Sequence, residues 1–320
     1  MNKFSLFSTT LLILFFLEPV LARDPITLAV GYGGRRMITT DGGQNWTHDT
    51  HWIEKGGDDN KLLRGACYGA GTFVAVGGSK IAPIIVSKNG IDWQEQQLAG
   101  GWLGDVAYGN GWFVAVGGGG SYLRSKDGLK WSARQRNKEV KPGYPRHYRK
   151  IAFGNGLFVA VGDKGRRTVS ANGVTWSEDQ TIKEKLKRQN ILFAKGRFVI
   201  IGSGGYLTTS QDGLSWSTPK LSTTEDLRSI LWDGKKFIVT AKSDLIISND
   251  GLNWRKVAAR GGVPSTIYYD PVAKTYFGFS WRSRKWTSPN GLNWKRHEDS
   301  GKNAITAIVS PPSTPKTKPE

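Results

Sequence analysis

The chain of 320 residues is poor in the residues that make disulfides and metal centres, with one cysteine (Cys67), two methionines and four histidines. A single thiol cannot close an internal disulfide. His48, His51, His147 and His297 are too scattered to build a metal cluster, so neither a metal nor a cofactor is expected. Long apolar runs are also scarce: only residues 4–17 approach one, short of the roughly 20 residues that span a bilayer. Acids are outnumbered, 26 Asp and Glu against 45 Lys and Arg, which leaves a formal net charge of +19. Glycine and tryptophan, by contrast, are abundant at 41 and 13 copies, which excludes a coiled coil and a chain disordered throughout. Length alone, at roughly 100–200 residues per domain, suggests two domains.

The N-terminus reads as an export signal. Lys3 supplies the positive charge, residues 4–17 the apolar segment, and Val20-Leu21-Ala22 a small-residue cleavage pattern. Residues 1–22 are therefore expected to be a signal peptide cut after Ala22, leaving a secreted, periplasmic or lumenal protein with no transmembrane segment. Residues 311–320 are rich in proline and lysine and read as a disordered tail.

Between these ends the chain repeats. The pattern Ser/Thr-x-Asp/Asn-Gly-x-x-Trp recurs seven times, with its tryptophans at Trp46, Trp93, Trp131, Trp176, Trp216, Trp254 and Trp294, the first copy carrying one extra residue before Trp46. Asp-Gly and Asn-Gly between apolar runs mark tight hairpin turns, because glycine accepts positive φ and the Asx side chain bonds nearby backbone. Before the last six copies stands a second hairpin, clearest in residues 66–77, 106–117 and 151–162, where apolar strands flank a Gly-x-Gly turn. Each unit thus holds four short strands, and units of about 40–50 residues with four strands signify a β-propeller. Residues 26–46 supply only three strands of a unit, while residues 304–310 supply one orphan strand. Pairing the two completes a seventh blade and removes open sheet edges. The expected fold is all-β: a seven-bladed β-propeller over residues 23–310, in one domain and as a monomer.

Thr39-Thr-Asp-Gly-Gly-Gln-Asn-Trp-Thr47 and its six relatives resemble Asp-box, or BNR-type, repeats. The resemblance covers nearly the whole chain after residue 22. Such repeats occur in the sialidase-like superfamily and in the photosystem II assembly-factor propellers. The resemblance implies the fold, and a fold does not define a function.

Naming the strands of each blade A to D from the channel outward places the A–B and C–D turns on one face. The B–C loops and the connections between blades lie on the other. Seven near-identical Asp/Asn-Gly turns read as structure, so function is expected on the variable loops of the second face. That face is basic. Four residues before the aromatic near the end of each A strand stand Arg64, Arg149 and Arg228 in alternate blades, with Arg188 one residue off that register. Arg35, Arg36, Arg166, Arg167 and Arg282 follow in the B–C loops, beside Trp281. A guanidinium fork matches carboxylate, sulfate or phosphate, and aromatic faces suit sugar rings or peptide.

Two readings follow. In the first the protein is an exported scaffold that recognises an anionic polysaccharide or an acidic protein segment, nucleic acid being a poor match to export. The assembly-factor resemblance also implies a role in protein interaction. In the second the same face is a carbohydrate-active enzyme. A polysaccharide lyase acting on uronic-acid polymers would use Tyr148, His147 and Arg149, an arginine neutralising the uronate while Tyr or His moves protons. A sialidase-like hydrolase would need a Tyr–Glu pair and an Asp acid, and the first unit lacks the Arg-Ile-Pro motif of that family. Whether the protein is catalytic stays open at this level.

Overall fold

The computed structural model describes residues 26–53, 59–136, 147–177, 180–181, 186, 190–221, 223–298 and 302–312. The expected signal peptide, all of the proline-rich tail beyond residue 312, and Arg188 lie outside the described residues.

Seven antiparallel sheets form, six of four strands and one of three. Blade 2 is typical, with strands Leu63–Gly69, Thr72–Gly77, Ile81–Ser87 and Gln94–Ala99 running from the channel outward. The A strands of blades 3 to 7 are Leu103–Gly109, Tyr148–Gly154, Asn190–Ala194, Ser229–Trp232 and Thr266–Asp270. Blade 5 is the three-stranded one, and a single bridge, Thr209↔Ser217, stands at the place of its fourth strand. In blade 1 the strand Thr27–Gly31 pairs antiparallel with Ile305–Val309, Leu28 opposite Val309 and Val30 opposite Ala307. One ring of blades, rather than the two domains that length suggested, accounts for the chain.

The B strands read as unbroken apolar runs because both of their faces are covered. Phe73, Phe113, Phe158, Phe198, Phe237 and Phe277 are all at most 1% exposed, one in each of blades 2 to 7. The core lies between blades: Val74 and Ile84 of blade 2 pack with Val106, Phe113 and Leu123 of blade 3.

The repeated turn is a closed hydrogen-bond unit. In every copy the leading Ser or Thr is buried, and in six its hydroxyl accepts the N–H of the glycine three residues on, from Gly90 to Ser87 at 2.8 Å through Gly291 to Ser288 at 2.9 Å; in the first, Thr39 accepts from Gly43 at 3.0 Å. The Asx oxygen accepts the two following N–H groups, as Asp250 Oδ1 does from Leu252 and Asn253 at 2.8 Å each. The tryptophan then donates its indole N–H to the turn, Trp254 to the Gly251 carbonyl at 3.1 Å. Trp176 departs from this, its buried Nε1 having no hydrogen-bond partner. Asp250 sits well below the ordinary carboxylate range because the Asn253 and Leu252 amides bind its ionised form, against a smaller penalty from burial. A carboxylate spent in this way holds a turn and is not available for chemistry.

Candidate functional site

On the B–C face, two of the expected arginines come together around one indole. Blade 2 shifts register between Leu63 and Gly65, and blade 4 between Tyr148 and Lys150. Arg64 and Arg149 are therefore bulge residues, and a bulge re-aims the side chain it carries. Both guanidinium carbons lie over the ring of Trp102, at 5.2 Å for Arg64 and 5.5 Å for Arg149. The His147 ring stands 5.3 Å from the same indole.

The two arginines differ in how they are held. Arg64 donates from Nε to the Gly78 carbonyl at 2.9 Å, and no other partner binds its fork among the described residues. Partial burial lowers its pKa; Asp59 and Tyr32 oppose that, and the nearby positive charge of Arg149 adds to it. A guanidinium stays charged regardless. Arg149 is clamped by Asp163 through two bonds, 2.5 and 2.9 Å, with its side chain still 39% exposed. The Gly119 amide donates to His147 Nδ1 at 3.2 Å. Burial lowers the His147 pKa, with Asp163 opposing and Arg149 and Arg166 adding to it.

Below this mouth the A strands line a channel of about 890 Å³. Lys150, one residue past the blade 4 bulge, faces Asp105, which follows the equivalent register shift at Gly104 of blade 3, at 3.7 Å, and its ammonium also donates to the Arg64 carbonyl at 3.3 Å. Asp105 takes this place because Gly65 has no side chain; a Cβ there would run into the carboxylate. Burial raises the Asp105 pKa, with Lys150 opposing, and burial and then Asp105 push the neighbouring Cys67 thiol well up.

The remaining expected residues separate by burial. Arg35, at 4% exposure, binds Asp49 through both Nε and Nη2 at 2.8 and 2.9 Å and donates to the Asn303 carbonyl and to Ser283. It ties the first blade to the last segment of the chain. Arg166 and Arg167 are 4% and 7% exposed, and Arg167 lies 4.4 Å over Trp216 inside the structure. None of these three offers a fork to a ligand. Tyr148 is 2% exposed within an apolar cluster, which removes it from proton transfer on the face. Arg36 is half-buried, donates to the Gly34 carbonyl and covers Trp52 at 5.3 Å. Arg228 is exposed and precedes its strand instead of occupying a bulge. Arg282 is exposed, and its neighbour Trp281 is 69% exposed.

Several residues escaped the sequence reading. Tyr32 opens the B–C turn of blade 1 just as Trp281 opens that of blade 7, and their rings meet edge-on at 6.4 Å. That equivalence is visible in the aligned repeats. Arg134, bonded to Ser121 and to the Gly101 carbonyl, and the exposed Arg136 add positive charge beside blade 3. Lys61 shares Trp52 with Arg36, 5.1 Å above the ring. The result is an arc over blades 7 and 1 to 4 that mixes aromatic and cationic side chains: Trp281, Tyr32, Arg64, Trp102, Arg149. No group of three or more metal-ligating side chains exists among the described residues.

A seven-bladed β-propeller with this one-sided arc is the class that fold and site define. No protein-family model and no curated protein matches the sequence. Among solved structures the chain is similar to YCF48 bound to a D1 peptide, with a TM-score of 0.56 and 19% identity over 79% of this chain and 86% of that one. YCF48 from Cyanidioschyzon merolae gives 0.57 and 16%, over 78% and 89%. The GH74 xyloglucanase from Xanthomonas campestris gives 0.60 and 13%, over 90% of this chain and 52% of that one. At these identities the likeness is one of fold.

Proposed function

We propose that the protein is an exported binding scaffold whose B–C face takes an anionic partner, an acidic protein segment or an acidic polysaccharide, along the arc from Trp281 to Arg149. The observation that carries this reading is the pair of guanidiniums over Trp102, one of which has a fork with no partner beyond Nε among the described residues. Two like charges held near one indole, of which only Arg149 is bonded by a carboxylate among the described residues, favour a further negative group. The aromatic members supply contact area at little entropic cost. The solved neighbours contain one propeller bound to a peptide and one glycoside hydrolase, so the fold admits both classes of function.

Chemistry is the weaker reading. The lyase candidates included His147, but its Nδ1 already accepts the Gly119 amide, which takes that nitrogen out of proton transfer. Tyr148 is in the core.

Retention on polyglutamate and on polygalacturonate, titrated against salt, tests the proposal. Hydrogen bonds to charged groups are worth about 1.5–3 kcal/mol, so Arg64→Ala with Arg149→Ala weakens binding on the order of 100-fold or more. Adding Arg228→Ala costs less. Retention that ignores both the double substitution and salt sinks the proposal. New double bonds released from polygalacturonate would establish the lyase instead.

A further inference from the structure

The opposite end of the channel carries a different chemistry, and nothing in the arginine arc accounts for it. The A strands of blades 2 to 7 bring Tyr68, Tyr108, Phe153, Phe193, Trp232 and Tyr269 to one level at the A–B face. Each ring is backed by an aromatic of its own B strand, with centroids 4.6 to 4.8 Å apart. Tyr108, Phe153 and Phe193 also lie against Gly69, Gly109 and Gly154 of the blade before, where any side chain would collide with them. Covered from behind, all six stay half-buried and line the open cavity. This is a collar of aromatic faces around a channel mouth.

The chain itself places proline at the same opening. In blade 1 no aromatic stands at this level. The strand Ile305–Val309 runs on through Ser310 to Pro311 and Pro312, and both prolines line the cavity together with Trp232 and Tyr269. Tyr268 fixes the exit by hydrogen-bonding Ser310. Pyrrolidine rings against aromatic faces are the contact by which aromatic-lined grooves take polyproline II segments, whose preset conformation lowers the entropy of binding. Lys195, whose ammonium lies 5.6 Å over Trp232, leaves a cation at the rim for the carbonyls of such a segment.

We propose that the aromatic collar is a second binding site, independent of the arginine arc, for a proline-rich extended segment of a partner protein. The test is calorimetric titration of the full chain with decaproline, with cellohexaose and polyglutamate as comparison ligands. The expected result is saturable decaproline binding, weakened at least tenfold by Trp232→Ala and severalfold by Trp232→Phe. The phenylalanine keeps the stack on Phe237, so thermal melting of that variant confirms folding while the binding loss is read. Polyglutamate does not compete, and Arg64→Ala leaves decaproline binding unchanged. Absence of saturable decaproline binding, or binding indifferent to both Trp232 variants, overturns the proposal. So does cellohexaose binding in its place, which would make the collar a sugar site. Decaproline binding only to a chain ending at Pro312 also overturns it, because the chain's own end would then be the occupant.

Discussion

Replacing Ser248 with alanine removes one oxygen from the centre of a repeated turn. Ser248 is 3% exposed; its hydroxyl accepts the Gly251 amide at 2.8 Å and the Asp250 amide at 3.3 Å, and donates to Asp250 Oδ1 at 2.9 Å. Gly251 has φ of +74°, so the turn has no relaxed alternative in which that amide pairs elsewhere. A buried donor left without a partner costs about 1–3 kcal/mol. In a chain of this size each kcal/mol lowers Tm by about 2–4 °C. Asp250→Asn is the built-in control, because Asn290 makes the same two amide contacts at 2.9 Å each in blade 7. Urea unfolding followed by circular dichroism should place Ser248→Ala at least 1 kcal/mol below wild type and Asp250→Asn within about 0.5 kcal/mol of it at pH 7. Asp250 has a depressed pKa in the fold, so its contribution is present above the unfolded value near 3.9 and fades as pH falls below it. The gap between wild type and Asp250→Asn should therefore change only below about pH 4. Equal losses for the two variants, or a hydroxyl deletion without cost, would refute the account of the turn as a closed hydrogen-bond unit.

Tyr268, pushed up to about 12 by burial and only partly offset by its bond to Ser310, holds stability below the unfolded value near 10 and loses it as pH rises through 12. Alkaline unfolding should begin in that window, and Tyr268→Phe should shift it upward when scanned by near-ultraviolet circular dichroism. Trp281→Ala removes a ring that is 69% exposed, so stability should stay within about 0.5 kcal/mol while retention on acidic ligands falls. If instead stability drops and retention holds, Trp281 is a structural contact with Tyr32.

What the sequence revealed was mostly local. The Ser–Asx–Gly–Trp turn is complete within seven residues, so its hydrogen bonds could be anticipated from spacing alone. The closing strand was legible as a deficit, one unit short of a strand and one strand without a unit. Arg64 and Arg149 were found by register, because a bulge recurs at the same count from the aromatic. Arg35, Arg166 and Arg167 misled because the partners that bury them, Asp49 and Trp216 among them, are brought to them by the fold. Arg228 shares the count but not the bulge, a difference that only the strand register shows.

The join in blade 1 sets an order on how the molecule can be made. Thr27–Gly31 exposes a strand edge from the moment it forms, and its partner Ile305–Val309 is among the last parts of the described chain to be synthesised. At roughly 5–20 residues per second, about 270 intervening residues leave that edge unpaired for tens of seconds. Arg35 waits equally long for Ser283 and Asn303, and Asp49 for Lys302. Six blades can stack as they emerge, but the first remains a template for any passing strand until the end arrives. A substitution that weakens the final strand would thus register as aggregation during synthesis before it registers as a lower melting temperature.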